Sequence, residues 1–124
     1  MAVKFYKCSH CGNVVVKMVD SGVPVVCCGK PMDELVVNTV DASLEKHIPV
    51  VHKSENGMMR IEVGTEHHPM TAEHHIVFIY VETEKGGITV NLKDKPVAEV
   101  CVGKDKPLAV YEYCNLHGLW KKEL

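Results

Sequence analysis

Four thiols open the chain in two pairs: Cys8 and Cys11 as "CSHC", then, after fifteen intervening residues, Cys27 and Cys28 in "VVCCGKPM". Neighbouring side chains on an extended strand leave on opposite faces, so the doublet shares a partner only if the chain turns there. Gly29 and Pro31 supply turn chemistry. A disulfide within the doublet would need a strained ring, because one peptide link holds the Cα atoms closer than a bridge requires. Two pairs on two tight turns, CxxC followed by Gly12 and CC followed by Gly29, can instead converge their sulfurs on a tetrahedral ion. Zinc and a single iron suit such a cage equally, and a zinc knuckle that only holds the fold satisfies the spacing as well as a redox centre does.

A second set lies downstream. It comprises His47 in "LEKHIP", the doublets His67–His68 and His74–His75 in "EHHPMTAEHH", and Cys114 with His117 in "YCNLHGLW". Taken singly, a strand histidine is more often a surface or core residue than a ligand. Taken together, doublets flanking a short loop and a CxxH can bring imidazoles from separate loops to one ion. Spacing does not choose between His67 and His68 or between His74 and His75, since "HIVFIYV" is apolar on both faces. Cys101 in "VAEVCVG" reads as a small core residue. His10 and His52 read as solvent-facing or supporting residues. Tyr113 and Trp120 are placed by sequence to shield the second set, or simply to pack.

The elements that must position these residues are β-rich. "VVVKMV", "ELVVNTV", "MMRIEVG", "HHIVFIYVET", "GGITVNL", "VAEVCVG" and "LAVYEYC" alternate with "SENG", "EKGG", "KDKP" and "GKDKP", which reverse strands. Helical periodicity is absent. A spacing of about ten residues predicts an antiparallel β-sandwich over roughly residues 40 to 124, with a partly open barrel as the competing form. "NTVDASLEKHIP" reads as the connection to a leading segment too short to bury a core, which needs a metal, a crosslink or a partner to stay folded.

Composition narrows the function. The 124 residues suit one modest core plus a small appendage, and a net charge of −2 gives no basic footprint for nucleic acid. The start, "MAVKFYKCSHC", lacks a signal-peptide core, and no segment approaches a membrane span. The expected location is the cytoplasm, where six cysteines belong with metals rather than with disulfides.

The order CxxC, CC, EKHxP, HPMxxxH and CxxH resembles desulfoferrodoxin, the two-iron form of superoxide reductase, over essentially the whole chain. The resemblance implies an all-β protein. Residues 1–37 would form a desulforedoxin-like domain with one iron on Cys8, Cys11, Cys27 and Cys28. Residues 38–124 would form an immunoglobulin-like antiparallel β-sandwich carrying a second, ferrous iron on His47, His68, His74, His117 and Cys114. Five donors are one more than tetrahedral zinc accepts and one fewer than an octahedral ion takes, which leaves one position open. By the same resemblance Lys46 attracts the anionic substrate and Glu45 occupies the open position in the ferric state.

The implied activity is one-electron reduction of superoxide to hydrogen peroxide without dioxygen release, with a rubredoxin-like electron donor and a homodimeric assembly. A superoxide dismutase is the enzyme alternative. A zinc-stabilised β-sandwich binding module is the alternative from another class.

Overall fold

Turn residues and short β-branched runs divide the chain into strands, as the sequence predicts. The protein is represented by a computed structural model that describes residues 3–38 and 47–124. Glu45, Lys46 and the centre of the expected connection lie outside the described residues. The chain divides into two compact units, Met1–Val36 and Val37–Leu124.

The first unit is built from very short strands. β1 (Phe5–Lys7) pairs antiparallel with β2 (Val14–Val16) and with β5 (Asp33–Glu34), while β3 (Val26–Cys27) and β4 (Lys30–Pro31) form a separate hairpin. Among the described residues, "ELVVNTV" therefore contributes only its first residue to a strand. Phe5 and Met32 are the buried apolar side chains beside Cys8, whereas Met18 and Val19 are 95% and 86% exposed. So few buried groups cannot offset the ordering of some thirty residues, and the unit needs its thiols crosslinked by something.

The second unit carries two antiparallel sheets. One has the order β10–β7–β6, formed by β6 (Pro49–Lys53), β7 (Met58–Val63) and β10 (Val97–Cys101). The other has the order β12–β11–β8–β9, formed by β8 (Ile76–Thr83), β9 (Gly86–Asn91), β11 (Pro107–Cys114) and β12 (Gly118–Glu123). Met59, Ile61 and Val63 from the first sheet share one buried cluster with Ile79, Val81 and Val110 from the second. Two sheets burying one face each against a common core make a sandwich, so the barrel alternative is set aside. Among the described residues no helix is long and apolar enough to cross a membrane.

Two departures from the sequence reading have simple causes. β10 alternates strictly, burying Ala98 and Val100 and turning Glu99 and Cys101 outward, so Cys101 is exposed at an edge strand rather than in the core. β8 buries both Ile76 and Ile79, three positions apart, which a regular strand cannot do on one face. A register shift resolves this, because Tyr113 pairs with Phe78 but Cys114 pairs with Ile76, leaving Val77 as the extra residue of a bulge.

The β6–β7 connection imposes a tight steric demand. Asn56 and Gly57 both have positive φ, and a Cβ on Gly57 would collide with the Gly103 backbone. Backbone atoms cannot swing aside as a side-chain tip can. Gly57→Ala should therefore lower unfolding stability by roughly 2 kcal/mol or more, read from denaturant midpoints, and an unchanged midpoint would show that this turn yields.

Candidate metal centres

The first cluster rests on two turns. Between β1 and β2, the Cys8 N–H donates to the Asn13 carbonyl at 2.9 Å and the Gly12 N–H to the Cys8 carbonyl at 3.0 Å, a knuckle that folds Cys11 back over Cys8. Between β3 and β4, Cys28 and Gly29 both adopt positive φ, at 52° and 77°. Two left-handed residues are the signature of the tight hairpin turn that suits twisted strands. The turn is thus made by Cys28 itself with Gly29, while Pro31 lies within β4. This explains the doublet: the left-handed Cys28 abolishes strand alternation and swings its thiol to the side of Cys27.

The sulfurs meet accordingly. Cys11 Sγ lies 3.6 Å from Cys27 Sγ, and Cys27 Sγ lies 4.0 Å from Cys28 Sγ. Sulfurs about 2.3 Å from a tetrahedral ion are about 3.8 Å apart, so the spacing fits. Without a cation the thiols conflict. Backbone N–H groups of Cys11 and His10 pull Cys8 down to about 6, whereas the crowding thiols of Cys11 and Cys8 push Cys28 up to about 12. A central cation would remove the conflict by favouring all four thiolates. His10 is exposed and outside the set.

The second cluster gathers five donors from three stretches of the other unit. His47, His68, His74, Cys114 and His117 bring their ligand atoms within 4.8 Å of one another. His47 lies two residues before β6, His68 and His74 lie within the β7–β8 connection, and Cys114 and His117 bracket the β11–β12 turn.

The imidazoles form a square. Ring centroids run His47–His68 4.7 Å, His68–His74 4.5 Å, His74–His117 4.9 Å and His117–His47 4.8 Å, each pair edge-to-face. Across the diagonal, His47 and His74 stand 6.5 Å apart and nearly parallel. The diagonal of 6.5 Å over the side of 4.7 Å gives a ratio of about 1.4, the value for a square. His47 Nε2 is 3.2 Å from His68 Nε2 and 3.0 Å from His117 Nδ1. Nitrogens about 2.1 Å from a common ion at a right angle stand about 3.0 Å apart. Cys114 Sγ lies 3.5 Å from His68 Nε2 and 3.8 Å from His117 Nδ1, reaching opposite corners as an apical donor does.

Surrounding contacts fix these groups. His68 Nδ1 is 2.8 Å from the Pro69 carbonyl, which only accepts, so Nδ1 carries the proton and Nε2 presents its lone pair. Burial, then the neighbouring histidines, pull His68 down to about 4, keeping it neutral. Burial pushes the Cys114 thiol up, so its ionisation awaits a cation. Trp120 stacks on His47 with centroids 4.9 Å apart, and its indole N–H donates to the His117 carbonyl at 3.0 Å. Trp120 therefore packs against the site. Tyr113 instead stacks on Phe78 on the other face of the sheet.

The doublets separate cleanly. His67 is exposed and lies 3.6 Å from Glu62, and His75 donates from Nδ1 to the Thr71 carbonyl at 3.0 Å, so neither joins the five. His52 is exposed on β6 opposite Arg60. Sequence reasoning passed over Asn115, which ties the loops carrying His74 and Cys114 together, and Glu112, which is buried two residues before Cys114.

The clusters share no residue and lie in different units. Cys28→Ser should accordingly lower metal content by one ion per chain, measured by elemental analysis, while the histidine-rich site stays loaded. Loss of both ions together would contradict their independence.

Comparison with known proteins agrees with this geometry. Residues 39–123 match the family model described as Desulfoferrodoxin, and residues 2–35 match that described as Desulfoferrodoxin, N-terminal domain. The chain is 43% identical over 122 residues to a desulfoferrodoxin from Nitratidesulfovibrio vulgaris, covering 97% of this chain and 95% of that one. It is 34% identical over 99 residues to a superoxide reductase from Pyrococcus abyssi, covering 64% and 86%. The crystal structure of the superoxide reductase from Treponema pallidum superposes with a TM-score of 0.82 at 32% identity, covering 99% of this chain and all of that one. With both donor sets assembled and both domain models matched in order along its length, the chain belongs to the desulfoferrodoxin family.

Proposed function

We propose that the protein is a superoxide reductase that takes one electron and two protons to convert superoxide to hydrogen peroxide without releasing dioxygen. The observation that carries this is the square of four imidazoles with an apical thiolate. Five donors of this kind suit an iron that keeps a sixth position open, and they exceed what tetrahedral zinc takes. A ferrous ion held by His47, His68, His74, His117 and Cys114 would supply the electron, and the Cys114 thiolate would raise its electron-donating power.

The chain's own residues do the rest. His68 is held neutral with its lone pair directed at the cluster, so no proton need leave before a metal enters. Cys114 offers an anionic donor once a cation offsets its burial. Trp120 holds His47 and His117 at adjacent corners and excludes water from that side. Lys46, next to His47 in sequence, attracts the anionic substrate, and Glu45 acts as the hard ligand of the oxidised state. Both assignments rest on the family motif.

Residues 1–37 serve as a four-cysteine iron domain, and residues 38–124 as the catalytic domain with an immunoglobulin-like arrangement of three and four strands. The exposed Met18, Val19 and Val23 support a homodimer. A small rubredoxin-like protein returns the electron. Six free thiols fit a cytoplasmic setting.

Anaerobic mixing of the reduced protein with superoxide, with peroxide and dioxygen both quantified, tests the reading. Peroxide without dioxygen is expected, and dioxygen released alongside peroxide would identify a dismutase. Lys46→Ala should slow the second-order step and weaken its ionic-strength dependence while iron content holds; loss of iron would make Lys46 structural.

A further inference from the structure

Asn115 occupies the turn between Cys114 and His117 and reaches across to the segment that carries His74. Its side-chain Oδ1 accepts the His75 N–H at 2.8 Å, and its Nδ2 donates to the Glu73 carbonyl at 2.9 Å. Its own backbone N–H donates to the His75 carbonyl at 3.1 Å. One residue thus grips the backbone on both sides of His74, from a position adjacent in sequence to the apical sulfur. The N–H and carbonyl of His74 itself meet Thr71.

We infer that Asn115 is a positioning residue that locks the His74 corner of the square to the Cys114–His117 turn and thereby sets the geometry of the reactive metal centre. The chemistry is specific to a carboxamide. The site needs one acceptor for an N–H and one donor for a carbonyl about a peptide length apart, and Asn presents both from one short, rigid group. Aspartate keeps the acceptor but sets a second oxygen against the Glu73 carbonyl. Alanine loses both. Residues that orient a metal's ligands without touching the metal commonly change its affinity by about 10- to 100-fold when removed.

The inference deepens the proposed function and rests on the five-donor site holding a metal, but its readouts do not depend on superoxide chemistry. In iron-loaded protein, Asn115→Ala should release the histidine-site iron to a chelator about tenfold faster or more, with the four-cysteine iron as internal reference. The thiolate-to-iron absorption of the oxidised protein should shift. Asn115→Asp should fall between Asn115→Ala and the parent on both measures. In the unsubstituted protein, the His75 amide should exchange slowly with solvent, a readout that stands even if the variants fold poorly. Parental release rates and absorption in Asn115→Ala, or rapid exchange of the His75 amide, would overturn the proposal. Failure of superoxide reduction with these results intact would sink the function and leave Asn115's role standing.

Discussion

Cys114→Ser is expected to eliminate superoxide reduction and to remove the thiolate-to-iron absorption of the oxidised protein. Cys114 is fully buried at the end of β11, and its sulfur is the sole one in the histidine-rich cluster. A serine hydroxyl remains protonated where a thiol, given a neighbouring cation, ionises, so the substitution would remove both the charge and the soft donor that a bound iron would take from this site. The loss of turnover should exceed about 100-fold, above what displaced supporting residues usually cause. Iron in the four-cysteine cluster should be untouched and gives the reference signal. Unchanged spectra and rate in this variant would refute the apical assignment.

Glu112 carries the largest expected change in stability. It is fully buried on β11 between Val110 and Cys114, paired with Trp120 on β12 and Ile79 on β8, and neither carboxyl oxygen has a hydrogen-bond partner. Burial holds its carboxyl well above the usual carboxylate range, so the folded protein keeps it protonated. A buried polar group left unsatisfied costs about 1–3 kcal/mol, and Glu112→Met, similar in length and apolar, should recover about that much.

The pH dependence follows from the direction of the shift. Below the unfolded-state pKa, about 4.3, the carboxyl is protonated in both states and its contribution is fully present. As pH rises above that value, ionisation favours the unfolded chain, and the contribution is lost progressively up to the folded-state pKa. The stability gap between Glu112→Met and the parent should therefore be wider at pH 8 than at pH 5. Denaturant unfolding of both proteins at the two pH values measures the gap. A gap that does not grow with pH would mean the carboxyl is already ionised in the folded protein.

How far the sequence reveals such features depends on whether local periodicity survives in the fold. The all-β class and the turn clusters survive well, because Gly, Asn, Asp and Pro punctuate the chain where strands reverse. Two-residue strands such as β3 and β4 carry too little pattern to read, and β12, "GLWKKE", hides behind lysines that an edge strand tolerates. Residue type and spacing bring every one of the five gathered donors into view, but the Val77 bulge breaks the parity that would separate His74 from His75. Cys101 reads as a core residue from its apolar neighbours, yet alternation with Glu99 turns it outward.

"YEYC" inverts the ordinary expectation. Tyr111 and Tyr113 lie on the sheet face away from the main cluster, where Tyr111 donates to Glu82 and receives Lys121 over its ring. The carboxyl group of Glu112 between them is buried on the core side instead. Hydropathy alone predicts the reverse.

The two clusters also differ in how much polypeptide must be in place before each can close. The cysteine cage draws on residues 8 to 28, carried by two hairpins that end at Pro31. The histidine ring draws on residues 47 to 117 and requires β11 to have settled between β8 and β12. Closing long loops is slow relative to short ones. The cysteine site therefore needs only the two leading hairpins to bring its donors together, whereas the histidine site needs most of the second unit.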